Sequence, residues 1–91
     1  MTFDLERPWA LAPEVALRPE PFGALAYHFG TRRLSFLKTK KLLAVVEGLP
    51  EQPSAREACL AAGVMDAELP AYEHALASLA AKGMITERES V

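Results

Sequence analysis

The sequence predicts an α+β domain of winged-helix-like order, with three short strands, then three helices, then a closing strand fragment. Three observations predict it. Prolines at 8, 13, 19 and 21 keep a helix out of the first 21 residues, because each removes a donor and pushes its predecessor towards extended geometry. Between residues 22 and 37 two apolar runs flank a glycine-containing connection, the pattern of a β-hairpin. Beyond Thr39 the apolar period lengthens to that of a helix, and stop signals recur at Gly48, Gly63 and Gly83.

Taken in order, residues 1–14 are expected to form an extended N-terminal segment. Val15-Ala16-Leu17-Arg18, bounded by Pro13 and Pro19, suits a short edge strand. The second strand is expected in Phe22–Phe29, the connection in Gly30-Thr31-Arg32-Arg33, and the third strand in Leu34–Leu37. Leu42, Leu43, Val45, Val46 and Leu49 fall on one face of a first helix, which Thr39 can cap and Gly48 with Pro50 can end. Ser54-Ala55-Arg56-Glu57 has the form of a capping box, so a second helix is expected over 54–62 with Gly63 as its stop. Pro70 fits only a first turn, which places a third helix from Leu69 to Lys82, with Gly83 ending it. Its apolar residues Leu69, Tyr72, Leu76 and Leu79 form a narrow stripe. Met84-Ile85-Thr86 has room for a strand fragment, and 87–91 is expected to be a frayed tail.

At 91 residues and 51% hydrophobic, the chain is expected to be a single domain over 1–91 with one modest core. The net charge of −2 lacks the strong positive field of a duplex binder. That charge is uneven: residues 1–50 carry seven Lys/Arg against five Asp/Glu, and residues 51–91 three against seven. Cys59 is the single cysteine, which excludes an intrachain disulfide and a cysteine-cluster metal site and makes a reduced, cytoplasmic setting the expectation. No apolar run approaches the roughly 18 residues needed to span a bilayer. His28 and His74 lie in no metal-ligand spacing, Ser35 in no Gly-x-Ser-x-Gly elbow, and the glycines in no phosphate-binding loop. The chain is therefore expected to be no enzyme and to carry no cofactor or metal.

Chemistry concentrates in one place. From Arg32 to Lys41 five basic residues (Arg32, Arg33, Lys38, Lys40, Lys41) occur with no acid, interleaved with Leu34, Phe36 and Leu37. Solvated lysines and arginines on a turn and a helix start would look the same, and lysine on an edge strand also guards against unwanted pairing. The other reading is that Leu34–Lys38 is an open edge strand that accepts an extended peptide, whose acidic residues the basic rim would steer. One edge of the stripe on the third helix would then face that strand across a shallow cleft. Two alternatives stay open: a winged-helix nucleic-acid binder using the Arg32–Lys41 patch, and a homodimer formed through the edge strand. The third helix offers a duplex few donors, with Glu73 and His74 outward and Lys82 at its end.

Residues 18–38, Arg-Pro-Glu-Pro-Phe-Gly-Ala-Leu-Ala-Tyr-His-Phe-Gly-Thr-Arg-Arg-Leu-Ser-Phe-Leu-Lys, closely resemble the mycofactocin biosynthesis chaperone family. That family is similar to pyrroloquinoline quinone biosynthesis protein D, the peptide-recognition element of ribosomally made, modified peptides. The resemblance implies a three-stranded antiparallel sheet packed on a three-helix bundle in winged-helix fashion. It implies a non-catalytic adaptor that binds the leader of the mycofactocin precursor peptide as an added strand and presents it to a radical S-adenosylmethionine maturase. That enzyme, not the adaptor, acts on the precursor's C-terminal Val-Tyr. Carried onto this chain, the peptide would lie beside Leu34, Ser35, Phe36, Leu37 and Lys38, with Arg32 and Arg33 at the rim and Tyr72, Leu76 and Leu79 opposite. Where the wider group often has an Asn after the third strand, this chain has Lys38-Thr39-Lys40.

Overall fold

The computed structural model describes residues 3–88, and within them two small sheets and three helices share one core. Strands β2 (Val15–Glu20), β3 (Gly23–His28) and β4 (Leu34–Leu37) form an antiparallel sheet in the order β2-β3-β4. The helices are α1 (Lys40–Gly48), α2 (Ala55–Ala61) and α3 (Leu69–Ala81). Strands β1 (Trp9–Leu11) and β5 (Ile85–Glu87) pair antiparallel as a second sheet, with Leu11 beside Ile85 and Trp9 beside Glu87.

Local chemistry sets the helix ends. The Thr39 hydroxyl accepts from the Leu42 N–H at 3.0 Å and the Ser54 hydroxyl from the Glu57 N–H at 3.2 Å, satisfying donors that the first turn leaves free. Gly63 and Gly83 take φ values of +90° and +74° after α2 and α3, a conformation that a β-carbon would strain. Gly48 differs from expectation. Its φ is −84°, and the chain runs on through Pro50 as a 3-10 turn, Leu49–Glu51, so proline here continues a helical path from its first positions.

The second sheet corrects the expected ends of the chain. The N-terminal segment is not simply extended: Asp4–Arg7 forms a turn, and the Trp9 indole N–H donates to the Asp4 carbonyl at 2.9 Å while its ring lies buried. Glu87, placed in the frayed tail, is the last residue of β5. Arg88 is tied as well, its backbone N–H donating to Pro8 O at 2.8 Å and its guanidinium to the carbonyls of Trp9, Leu49 and Gln52. The rest of that tail, 89–91, lies outside the described residues. Leu37, Leu49, Leu76, Met84 and Ile85 are the largest fully buried side chains, so β4, the 3-10 turn, α3 and β5 contribute to one core. Cys59 is buried in the same core, and burial pushes its thiol pKa up, which makes it a packing residue with little thiolate character.

Gly23 positions β4. A β-carbon there would strike the Leu37 carbonyl oxygen and lie 2.8 Å from that of Thr39. Only glycine lets the end of β4 and the cap of α1 pass so closely over the start of β3.

Candidate peptide-binding site

The pairing of β3 with β4 determines which backbone groups are free. The His28 N–H donates to Arg33 O at 2.9 Å, and the register pairs Ala26 with Ser35 and Ala24 with Leu37. Antiparallel bonding alternates, so Arg33, Ser35 and Leu37 direct their backbone groups at β3. Leu34 and Phe36 direct theirs outward, along the open edge of the sheet.

Side-chain direction follows the same period of two. Ser35 and Leu37 point inward and are buried, whereas Leu34 and Phe36 are 50% and 56% exposed. The Ser35 hydroxyl, buried in the wall of the cleft beside β4, has no hydrogen-bond partner among the described residues. Phe36 leans towards Phe22, their ring centres 6.2 Å apart on the outer face of the sheet.

Beside this edge lies a cleft of about 670 Å³. One wall is Leu34, Ser35, Phe36 and Lys38 from β4 and its exit, continued by Thr39 and Leu42 of α1. The other is a face of α3 at helical spacing: Ala71, Tyr72, His74, Ala75, Ser78, Leu79 and Lys82. Among the described residues no carboxylate lines it. At one end the Lys41 ammonium meets the Glu68 carboxylate at 3.1 Å, tying the start of α1 to the entry of α3. The Met65 N–H, donating to the same carboxylate at 3.1 Å, and then Lys41 hold the Glu68 pKa below the usual range.

Of the ten residues singled out in the sequence, Leu34, Ser35, Phe36, Lys38, Tyr72 and Leu79 line this cleft together. Leu37 and Leu76 are fully buried in the core, so a ligand could reach neither side chain. Arg32 and Arg33 sit on the β3–β4 turn rather than in the cleft wall, both exposed. Arg32 has φ +62°, a left-handed backbone that favours glycine or asparagine. His28 is a turn residue: its Nδ1 accepts from the N–H groups of Gly30 and Thr31 at 3.0 and 3.1 Å. Leu42, His74, Ser78 and Lys82 belong to the cleft and were not among the ten. The signal for the last three was present, since 71, 74, 75, 78 and 82 fall on one helical face.

Comparison with known proteins decides the family. The model of the peptide chaperone MftB family matches residues 8–86. This chain belongs to that family. It is 54% identical over 88 residues to "Peptide chaperone MftB" of Mycobacterium tuberculosis, covering 97% of this chain and 81% of the relative. The Mycobacterium ulcerans protein of the same name is 56% identical over the same shares, and that of Mycolicibacterium smegmatis is 52% identical over 85 residues, 93% of this chain and 83% of the relative. No solved structure matches the chain. These relatives are named for a chaperone's role, a non-catalytic one, and the chain is accordingly no enzyme. Among the described residues no helix is long and apolar enough to cross a membrane.

Proposed function

We propose that this chain is an adaptor that binds the leader of the mycofactocin precursor peptide along β4 and presents it to a radical S-adenosylmethionine maturase. The observation that carries the reading is the open β4 edge facing α3 across the cleft. An added strand would exchange main-chain hydrogen bonds with Leu34 and Phe36, and its alternate side chains would enter the space lined by Leu42, Tyr72, Ala75 and Leu79. Leu37 contributes through the core that holds β4 in place, and Leu76 by seating α3. Arg32, Arg33 and Lys38 would set orientation at the rim. The family membership supports a peptide as the ligand, and the resemblance supports which peptide and which enzyme.

The winged-helix-like reading of this architecture belongs to the same proposal: three strands and three helices serve as a peptide platform, with α3 forming one wall of the groove. The same open edge favours a second reading, a homodimer paired β4 to β4. Such pairing would bring Lys38 of one copy towards Arg33 of the other, a like-charge contact that disfavours it.

Titration calorimetry with a synthetic precursor, and with a leader lacking the C-terminal Val-Tyr, tests the adaptor reading. Saturable one-to-one binding of both peptides is expected. Absence of binding to either, with or without the maturase, would sink it, and concentration-dependent sedimentation would then promote the dimer.

A further inference from the structure

We propose that the cleft is a two-ended cationic clamp, selecting an extended segment with apolar residues at alternate positions and a carboxylate side chain at each end, about five residues apart. This rests on the adaptor reading above and adds which peptides fit.

The ends of the cleft can be assigned from the backbone. Lys41 and Glu68 join the start of α1 to the entry of α3, so the Lys38 end of β4 lies at the N-terminal end of that helix. At its other end, Leu79 O accepts from Met84 N at 2.9 Å and Met84 O accepts from Ala12 N at 2.9 Å. Ala12 O in turn accepts from Val15 N at 3.0 Å, Val15 is paired with His28, and the His28 N–H donates to Arg33 O. The C-terminal end of α3 therefore shares the Arg32–Arg33 end of β4, and strand and helix run in opposite directions across the cleft. Lys82 stands with Arg32 and Arg33 at one end, Lys38 with Lys40 at the other.

Charge makes this arrangement informative. The chain has ten lysines and arginines against twelve acids. Among the described residues Arg7, Arg18, Lys41 and Arg56 are in ion pairs, and Arg88 is bonded to carbonyls. The five cations left without such partners among the described residues are Arg32, Arg33, Lys38, Lys40 and Lys82: Lys38 and Lys82 line the cleft, Arg32 and Arg33 lie on the turn that leads into Leu34, and Lys40 starts α1 two positions after Lys38. In a protein with acids in excess, cations that form no ion pair among the described residues, near a groove lined by no described carboxylate, fit an acidic ligand. Between the ends Leu34, Phe36, Tyr72, Ala75 and Leu79 make the lining mainly apolar, with Ser35, His74 and Ser78 as its uncharged polar members. Arg33 and Lys38 are five positions apart, about 17 Å at about 3.4 Å per residue, and a strand added alongside spans that distance in the same count. A second copy of the chain would bring the same cations against themselves, which favours a peptide of opposite charge as occupant.

The test is calorimetry of the mycofactocin precursor leader with the full chain. Lys38→Glu and Lys82→Glu are each expected to weaken binding about fivefold, the pair together about twenty-fivefold, and raised salt to erase much of the difference. Arg18→Glu, an equal change of net charge on the far strand, should stay within about twofold. Because a carboxylate at position 82 would sit unfavourably at a helix C-terminus, Lys82→Gln serves as a second variant, with a smaller loss in the same direction and an unchanged unfolding midpoint. If the wild-type chain binds the leader and the Lys38 and Lys82 variants all bind it equally well, the clamp is overturned and the adaptor reading survives. If the wild-type chain does not bind the leader, both fall.

Discussion

Along the β2 edge the outward backbone positions are Val15, Leu17 and Pro19; along the β4 edge of the same sheet they are Leu34 and Phe36. The first edge offers fewer donors. Val15 N–H is already spent on Ala12 O at 3.0 Å, and Pro19 has no N–H to give. The second edge keeps both donors and both acceptors, and it is the one beside the cleft that Lys38 and Lys82 line. An exposed edge invites pairing with any extended chain, so a fold that leaves β2 only the Leu17 donor and β4 both of its outward donors favours strand addition at β4.

Four substitutions would break or sharpen this contrast. Gly23→Ala should have the largest effect, because its β-carbon would collide with backbone at Leu37 and Thr39 and force β4 off β3. A loss of about 3 kcal/mol in urea unfolding is expected, with peptide binding lost in parallel. An unchanged midpoint would show that the close approach is easily relieved.

Leu34→Pro removes one outward N–H from the open edge while breaking no bond to β3. Measured against Leu34→Ala, which trims the same side chain, it should weaken leader binding by about a further fivefold. Equal affinities of the two variants would mean that the ligand does not pair with this edge.

Arg32→Asn should move stability and binding in opposite directions. Asparagine tolerates the left-handed backbone at φ +62°, so thermal unfolding should report a gain of about 0.5 to 1 kcal/mol. Removing a cation from the rim should weaken the leader about threefold.

The smallest effect concerns Glu68, whose pKa in the folded chain is held below its unfolded value by Met65 N–H and Lys41. Such a group contributes stability above its unfolded pKa and loses it as pH falls through the folded one. Acid titration of unfolding should therefore show a slightly steeper loss below the ordinary glutamate range for the wild type than for Glu68→Gln. Superimposable curves would assign the Lys41 contact no role in tying α1 to α3.

How much of this is legible in the sequence depends on distance along the chain. Thr39, Ser54, Gly63 and Gly83 act on residues a turn away, and each is readable as a cap or a stop. The partnership of Trp9 with Glu87 is not, because two three-residue strands 78 positions apart carry no turn signal and hardly a period. The orientation of Leu34-Ser35-Phe36-Leu37 is equally hidden. With apolar residues at 34, 36 and 37 the four-residue pattern assigns neither face, and the pleat buries the serine and exposes the phenylalanine. Leu37 and the backbone around Gly23 decide that register, and their contact involves another strand. The cleft is readable as strand against helix stripe, whereas Lys82 and the lack of described carboxylates around it become visible only once α3 has a direction relative to β4.

The β1–β5 sheet has a consequence for how the chain is made. The three strands β2 to β4 and their hairpins involve neighbours in sequence and can form as soon as they emerge from the ribosome. β1 is synthesised before any of them and has no partner until residues 85–87 arrive at the opposite end. The β1 ladder and the carbonyls that Arg88 engages must wait for residues 85–88, so the peptide groove can be assembled while β1 and β5 are still unclasped.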